Sequence, residues 1–205
     1  MTRIKICGLR ELKNTAQVAG LNVDFMGLIF APSPRQVSLE RACVLSELIH
    51  SHEKQAVGVF VDESDEFIAQ AAKSANLNVV QIYKSVSKGL FEALKARGVG
   101  VWQVVSIGAF FCLPPQIHAD MVLFDTKGAA KGGNGTAFKW HLLREYKNDF
   151  AIAGGLGADN AVAASCATNA LGQKPSVLDF NSRIEKAVGV KDINLIKEIL
   201  KKLGR

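Results

Sequence analysis

The sequence predicts an α/β chain folded as a single (β/α)8 TIM barrel over residues 1–205, compact, with a reduced fifth helix. Short apolar runs alternate with helix-like patterns about eight times. The runs are continuously apolar and rich in Val and Ile, as strands buried on both faces are. The length of 205 residues suits one domain near the lower limit of that fold, which leaves room only for short helices and few insertions. A doubly wound open sheet is the rival. It usually needs fewer strands, and its phosphate-binding fingerprint is absent, because Gly132-Gly133-Asn134-Gly135 lacks GxGxxG spacing and does not directly follow a strand.

The elements follow in order. Residues 3–7 alternate charge with apolar side chains and stop at Cys7-Gly8, so they read as a strand with a thiol at its carboxyl end. Residues 11–21 carry Leu12, Ala16, Val18 and Ala19 at helical spacing. Residues 25–30 form the next strand, broken by Pro32-Ser33-Pro34-Arg35, and Ser38 caps a helix running to about His50. Residues 55–61 are a strand. Asp62 or Ser64 caps a helix to Ala75, residues 79–83 are a strand, and residues 87–96 are a helix ended by Gly98. Residues 99–107 are a strand, after which Pro114-Pro115 leaves little room for a full helix. Residues 121–125 end in Asp125 and precede a glycine-rich loop at 127–136, in which Gly132 to Gly135 could serve as a lid or a plain turn. Residues 137–146 read as helix and 150–153 as strand. Asp159 caps a helix through Ala170, 176–180 are the last strand, and Asp192 caps an amphipathic final helix.

Composition excludes several function classes. The chain is 48% hydrophobic and 21% charged, an ordinary globular balance, and no run reaches membrane-span length. No signal peptide is recognisable at the N-terminus, so a cytoplasmic location is expected. The four cysteines show no metal spacing and the histidines no HExxH, so neither a metal nor a cofactor is expected. Cys43, Cys112 and Cys166 read as packing residues, and Trp102 and Trp140 as core. The net charge of +6 comes from scattered residues without an aromatic platform, apart from a modest cluster at 197–202. An anionic small molecule explains it as well as nucleic acid does, and neither a nucleic-acid nor a membrane partner is expected. Monomer and homodimer both remain open.

In such a barrel the active site lies at the carboxyl ends of the strands. There stand Cys7, Arg35, Tyr83, Asp125, Gly154, Gly155, Asp179 and Ser182. The set holds a base, an acid, an anion-binding cation and backbone donors, which is the inventory of a proton-transfer site with a phosphate pocket. Each residue also has an ordinary reading: Cys7 as a small buried apolar group, Asp125 as a loop acid, and Arg35 as a surface arginine paired with Glu40.

Lys5-Ile6-Cys7-Gly8-Leu9, Gly27-Leu28-Ile29-Phe30 with Ser33-Pro34-Arg35, Leu123-Phe124-Asp125, Gly132-Gly133-Asn134-Gly135 with Phe138-Lys139-Trp140, and Ala153-Gly154-Gly155-Leu156 with Asn160 together resemble the phosphoribosylanthranilate isomerase family of tryptophan biosynthesis. The ordered set covers almost the whole chain. The resemblance implies a cofactor-free Amadori rearrangement of an anionic phosphosugar. Asp125 is then general acid, Cys7 general base, and Arg35 the holder of the anthranilate carboxylate. Lys5 or Arg35 would favour the Cys7 thiolate, and apolar flanks would raise the Asp125 pKa. Phosphate is expected at Gly154 and Gly155, aided by the dipole of the helix begun near Asp159.

Two departures from the family pattern bear on substrate binding. Gln81-Ile82-Tyr83-Lys84 stands where the family usually reads Gln-Leu-His-Gly, so Tyr83 either replaces the His hydrogen bond or that contact is lost. Ser182-Arg183-Ile184-Glu185 stands where it usually reads Ser-Gly-Val-Glu, so Arg183 either loses a close backbone approach to phosphate or binds it by charge. Two other readings stay open. One is another phosphosugar barrel isomerase, such as the histidine-pathway enzyme, which is described as using paired carboxylates where Cys7 stands here. The other is an idle barrel that binds an anion or a partner.

Overall fold

A computed structural model describes residues 1–126 and 137–205. The Gly132 to Gly135 stretch therefore lies outside the described residues. Eight parallel strands close into a barrel in sequential order: β1 Arg3–Cys7, β2 Phe25–Ile29, β3 Gln55–Phe60, β4 Val79–Ile82, β5 Gly100–Ile107, β6 Met121–Thr126, β7 Phe150–Ile152 and β8 Val177–Phe180. Closure comes from β8 pairing with β1, with Lys5 beside Asp179 in the register.

Side chains alternate across each strand with period two, and here the alternation separates two cores. Ile4 and Ile6 of β1, Val80 and Ile82 of β4, Val122 and Phe124 of β6, and Leu178 and Phe180 of β8 face the helices. Phe25, Val57, Val79, Trp102, Leu123 and Val177 fill the barrel interior, where Phe25 and Trp102 meet edge to face at 4.9 Å. The same alternation sends Lys5, Cys7, Gln81, Tyr83, Asp125 and Asp179 toward the axis. Apolar layers thus close the barrel beneath the polar groups at its carboxyl end.

Helices α1 Leu12–Ala19, α2 Leu39–Ser51, α3 Asp65–Ser74 and α4 Lys88–Lys95 cover the first half. Ser38, Ser64 and Ser87 cap the last three, each accepting from the backbone N–H three residues on. Ser64, not Asp62, is thus the cap of α3.

The second half is less helical than the sequence patterns imply. Residues 108–120 form no helix, and residues 137–146 give only a 3₁₀ turn, Trp140–Glu145, whose start at Lys139 has no side-chain cap. The helix expected from Asp159 to Ala170 is reduced to α5 Ala161–Ser165, preceded by Asn160 rather than by an Asp159 cap. Asn169 diverts the chain: its Oδ1 accepts from the N–H groups of Leu171 and Gln173 and its Nδ2 donates to Asn148 O, holding a turn instead of another helical one. Helix α6 Ile193–Lys202 begins at Asp192, which accepts from Asn194 N and Leu195 N. Cys43 is half-buried, but Cys112 and Cys166 are exposed, one in the non-helical 108–120 segment and one at the end of α5, so neither is a packing residue. Between β8 and α6 lies a small hairpin that sequence patterns do not announce, β9 Glu185–Ala187 with β10 Val190–Lys191. Among the described residues no helix is long and apolar enough to cross a membrane.

Candidate active site

A cavity of about 770 Å³ opens at the carboxyl ends of the strands. Cys7, Arg35, Tyr83, Asp125, Gly154, Gly155, Asp179 and Ser182 line it, together with Gln81, Asn181, Asp62 and Glu63. Cys7 from the first strand and Asp125 from the sixth therefore share one space. Among the described residues no cluster of His, Cys, Asp and Glu has the arrangement of a metal site.

A glycine on the neighbouring strand and one in the turn after β7 keep room for both groups. Gly27 sits beside Cys7 in the β1–β2 register, and a Cβ there would stand 2.8 Å from Cys7 Sγ. Gly154 has φ +83°, a conformation L side chains rarely adopt, and a Cβ there would stand 2.5 Å from Asp125 Oδ1.

Beneath Cys7, the fully buried Lys5 ammonium donates to Asp179 Oδ2 at 2.6 Å. Burial works against the Lys5 charge, but Asp179 and Cys7 outweigh it and the pKa rises. Lys5 lies within hydrogen-bonding reach of Cys7 and pulls the thiol pKa down, yet burial is stronger and the net shift is upward. The expected cation is present, but it offsets rather than overturns the cost of a buried thiolate.

Asp125 is buried and its pKa is raised, chiefly by burial. Tyr83 donates its hydroxyl to Asp125 Oδ2 at 2.7 Å, and Thr126 N–H donates to Oδ1 at 2.7 Å, both working against that rise. A raised pKa is what a general acid needs. The Tyr83 hydroxyl is thus engaged by the Asp125 carboxyl, while Lys84 turns away to Asp65 at 2.7 Å.

Arg35 pairs not with Glu40 but with Glu185, 150 positions on: Nε donates at 2.9 Å and Nη2 at 2.7 Å. Lys191, wholly buried, donates to the same carboxylate at 2.7 Å and to Asn181 Oδ1 at 2.8 Å. Burial would raise the Glu185 pKa, but Arg35 and Lys191 hold it below its ordinary value. Glu185 thus sits between two cations, of which Arg35 lines the cavity.

Gly154 and Gly155, φ +83° and +64°, turn the chain after β7. Asn160 Nδ2 donates to Gly155 O at 2.9 Å and Asn160 Oδ1 accepts from Gly157 N at 2.8 Å, which fixes this turn. Helix α5, at five residues, adds little of the dipole expected for phosphate. Arg183 does not line the cavity. Its Nη1 donates to Gly155 O at 2.9 Å and its Nη2 to Asp159 at 2.9 Å, so it braces the glycine turn from behind. Sequence reasoning assigned no role to Gln81, Asn181, Glu185 or Lys191. The inward period of β4 marks Gln81, but no local pattern marks the others.

The family model for "N-(5'phosphoribosyl)anthranilate (PRA) isomerase" matches residues 4–202. The chain is 50% identical over 205 residues to the N-(5'-phosphoribosyl)anthranilate isomerase of Campylobacter jejuni, covering 100% of both chains. The solved phosphoribosyl anthranilate isomerase of Thermotoga maritima superimposes with TM-score 0.80 at 28% identity, covering 100% of this chain and 99% of that one. A phosphoribosyl anthranilate isomerase solved with reduced 1-(o-carboxyphenylamino)-1-deoxyribulose 5-phosphate matches with TM-score 0.75 at 26% identity over 100% of both. By these matches along its length, the chain belongs to the N-(5'-phosphoribosyl)anthranilate isomerase family.

Proposed function

We propose that Asp125 and Cys7 carry out the isomerisation that places this chain in tryptophan biosynthesis, the Amadori rearrangement of N-(5-phosphoribosyl)anthranilate to 1-(2-carboxyphenylamino)-1-deoxyribulose 5-phosphate. The observation that carries the reading is the shared cavity: a thiol and a buried carboxyl of raised pKa face one space large enough for a phosphosugar.

Asp125 gives its proton to the furanose ring oxygen as the C1′–O bond breaks and the nitrogen lone pair forms the C1′=N Schiff base. Cys7, as thiolate, then takes the proton from C2′. The electron pair of that C–H bond moves into C1′=C2′, and the C=N pair returns to nitrogen. The enolamine tautomerises to the ketone by protonation at C1′ and loss of the 2′-hydroxyl proton. Lys5 favours the thiolate for the moment in which it is needed, and positioned acid–base help of this kind contributes roughly 10²–10⁴-fold.

Arg35 receives the anthranilate carboxylate. Glu185 occupies its Nε and Nη2, and Arg35 lines the cavity, so the N–H groups left over are the ones offered to the substrate. The phosphate lies against Gly154, Gly155 and Ser182, where the backbone permits close approach. Asp179 Oδ1 and Gln81 Oε1 are buried without a partner among the described residues, and sugar hydroxyls satisfy such acceptors. Arg183 acts on phosphate affinity through the turn it braces.

The test is turnover of phosphoribosylanthranilate, followed by anthranilate fluorescence, in Cys7→Ala and Asp125→Asn. Each variant should lose at least roughly 10²-fold in kcat with an unchanged fold. A wild-type chain that binds the compound without converting it supports the idle barrel instead.

A further inference from the structure

Tyr83 is where this chain departs from the family's usual His, and the structure gives its hydroxyl a definite partner. The residue follows β4, where its backbone N–H donates to Phe60 O at 3.0 Å and its ring packs on the barrel interior. Its hydroxyl reaches Asp125 Oδ2 at 2.7 Å, from the opposite side to the Thr126 N–H on Oδ1. With both oxygens held, the plane of the carboxyl is set.

We propose that Tyr83 is the positioning residue of the acid: its hydroxyl orients the Asp125 carboxyl and stabilises the carboxylate left when the proton has gone to the sugar. This rests on the reading of Asp125 as general acid. An O–H donated to a neutral acid is an ordinary hydrogen bond, whereas the same O–H donated to a carboxylate is charge-assisted and about twice as strong. The bond therefore strengthens as the proton leaves, and only such a gain lowers the barrier.

The surroundings keep Tyr83 a donor. Burial, then Asp125, and beyond it Cys7 from β1 and Asp179 from β8, all disfavour a phenolate, and its pKa is well above the ordinary value. Facing Asp125 are Tyr83, Asp179, the Thr126 N–H and the Lys5 ammonium. Of these, Tyr83 makes the direct side-chain hydrogen bond to Oδ2.

The experiment compares the wild type with Tyr83→Phe by steady-state kinetics and by carboxyl NMR titration of Asp125. Loss of one hydrogen bond to a charged group should lower kcat roughly 10- to 100-fold with KM within about twofold. The Asp125 carboxyl should titrate at higher pH in Tyr83→Phe, since a donor to its anion is gone. Tyr83→His, which keeps an N–H donor, should recover part of kcat and lower the titration again, and it serves as the test variant should Tyr83→Phe not fold. An unchanged kcat, an unmoved Asp125 titration, or a rise in KM alone overturns the proposal. Full turnover in Asp125→Asn overturns the acid assignment instead, so the two failures are distinguishable.

Discussion

Replacing Gly27 by alanine tests whether the position of the Cys7 sulfur matters. Gly27 lies on β2 directly beside Cys7, and its carbonyl accepts the N–H groups of Gly8 and Leu9, each at 3.0 Å. An added Cβ would stand 2.8 Å from Cys7 Sγ, 3.0 Å from its Cα and 3.2 Å from its Cβ. Comfortable contact between such atoms begins at about 3.5–4.0 Å, so the sulfur is overlapped by roughly 1 Å. The β1 backbone is pinned between the β2 and β8 ladders, which makes rotation of the thiol the easier relief. A displacement of ~1 Å at a reacting atom costs on the order of 10²-fold in rate. Overpacking of this size costs ~1–3 kcal/mol, equivalent to a fall of roughly 2–4 °C in Tm per kcal/mol at this chain length. The assay is kcat by anthranilate fluorescence beside a thermal melt. A folded Gly27→Ala protein with kcat within about threefold of wild type would refute the placement of the reacting base at Cys7 Sγ.

Other perturbations test the surrounding groups. Glu185→Gln releases the fork of Arg35 and leaves the buried Lys191 to shed its proton, because burial already lowers its pKa and Glu185 is what opposes that. Thermal melting should show a loss of roughly 3–5 kcal/mol, as for other truncated buried pairs, and kinetics a raised KM with a smaller change in kcat. Asp125→Asn should be more stable than wild type at neutral pH. The Asp125 pKa is raised in the fold, so its favourable contribution is complete only below the unfolded value and disappears as pH rises through the folded one. Melts from acidic to neutral pH should show the gap between variant and wild type opening upward, and a gap constant with pH would count against the raised pKa. Arg183→Gly removes a partly exposed brace on Gly155, and pairs of this kind contribute ~0–1 kcal/mol. KM should therefore rise by less than roughly fivefold with kcat unchanged, whereas a much larger rise would mean direct contact with phosphate.

How much of this was legible depended on distance along the chain. Cys7 and Asp125 each end an apolar run, and the strand-then-glycine pattern around Cys7 is local, so their place at the carboxyl ends of strands could be read before any fold was known. The serine caps are local too, each side chain meeting an N–H three residues away. The Asp159 cap failed for a related reason. An acid before a helix has a cap as its default partner, but Arg183, 24 positions on, competes for it and takes it. The pairing of Arg35 with Glu40 failed likewise, because a nearby surface acid lost to Glu185, which the β9–β10 hairpin brings to Arg35 from 150 positions on.

By itself the chain's pattern of period-two and helical runs determined the barrel and the end of it at which the polar side chains gather, because alternation and apolar continuity are properties of neighbouring residues. Only the closed tertiary structure decided which of those side chains touch. It put Tyr83 on Asp125, Lys5 under Cys7 and Arg183 behind Gly155. It also decided that burial outweighs Lys5 at the thiol. Contacts and desolvation depend on groups brought together across the barrel, and those relations exist only once it has closed.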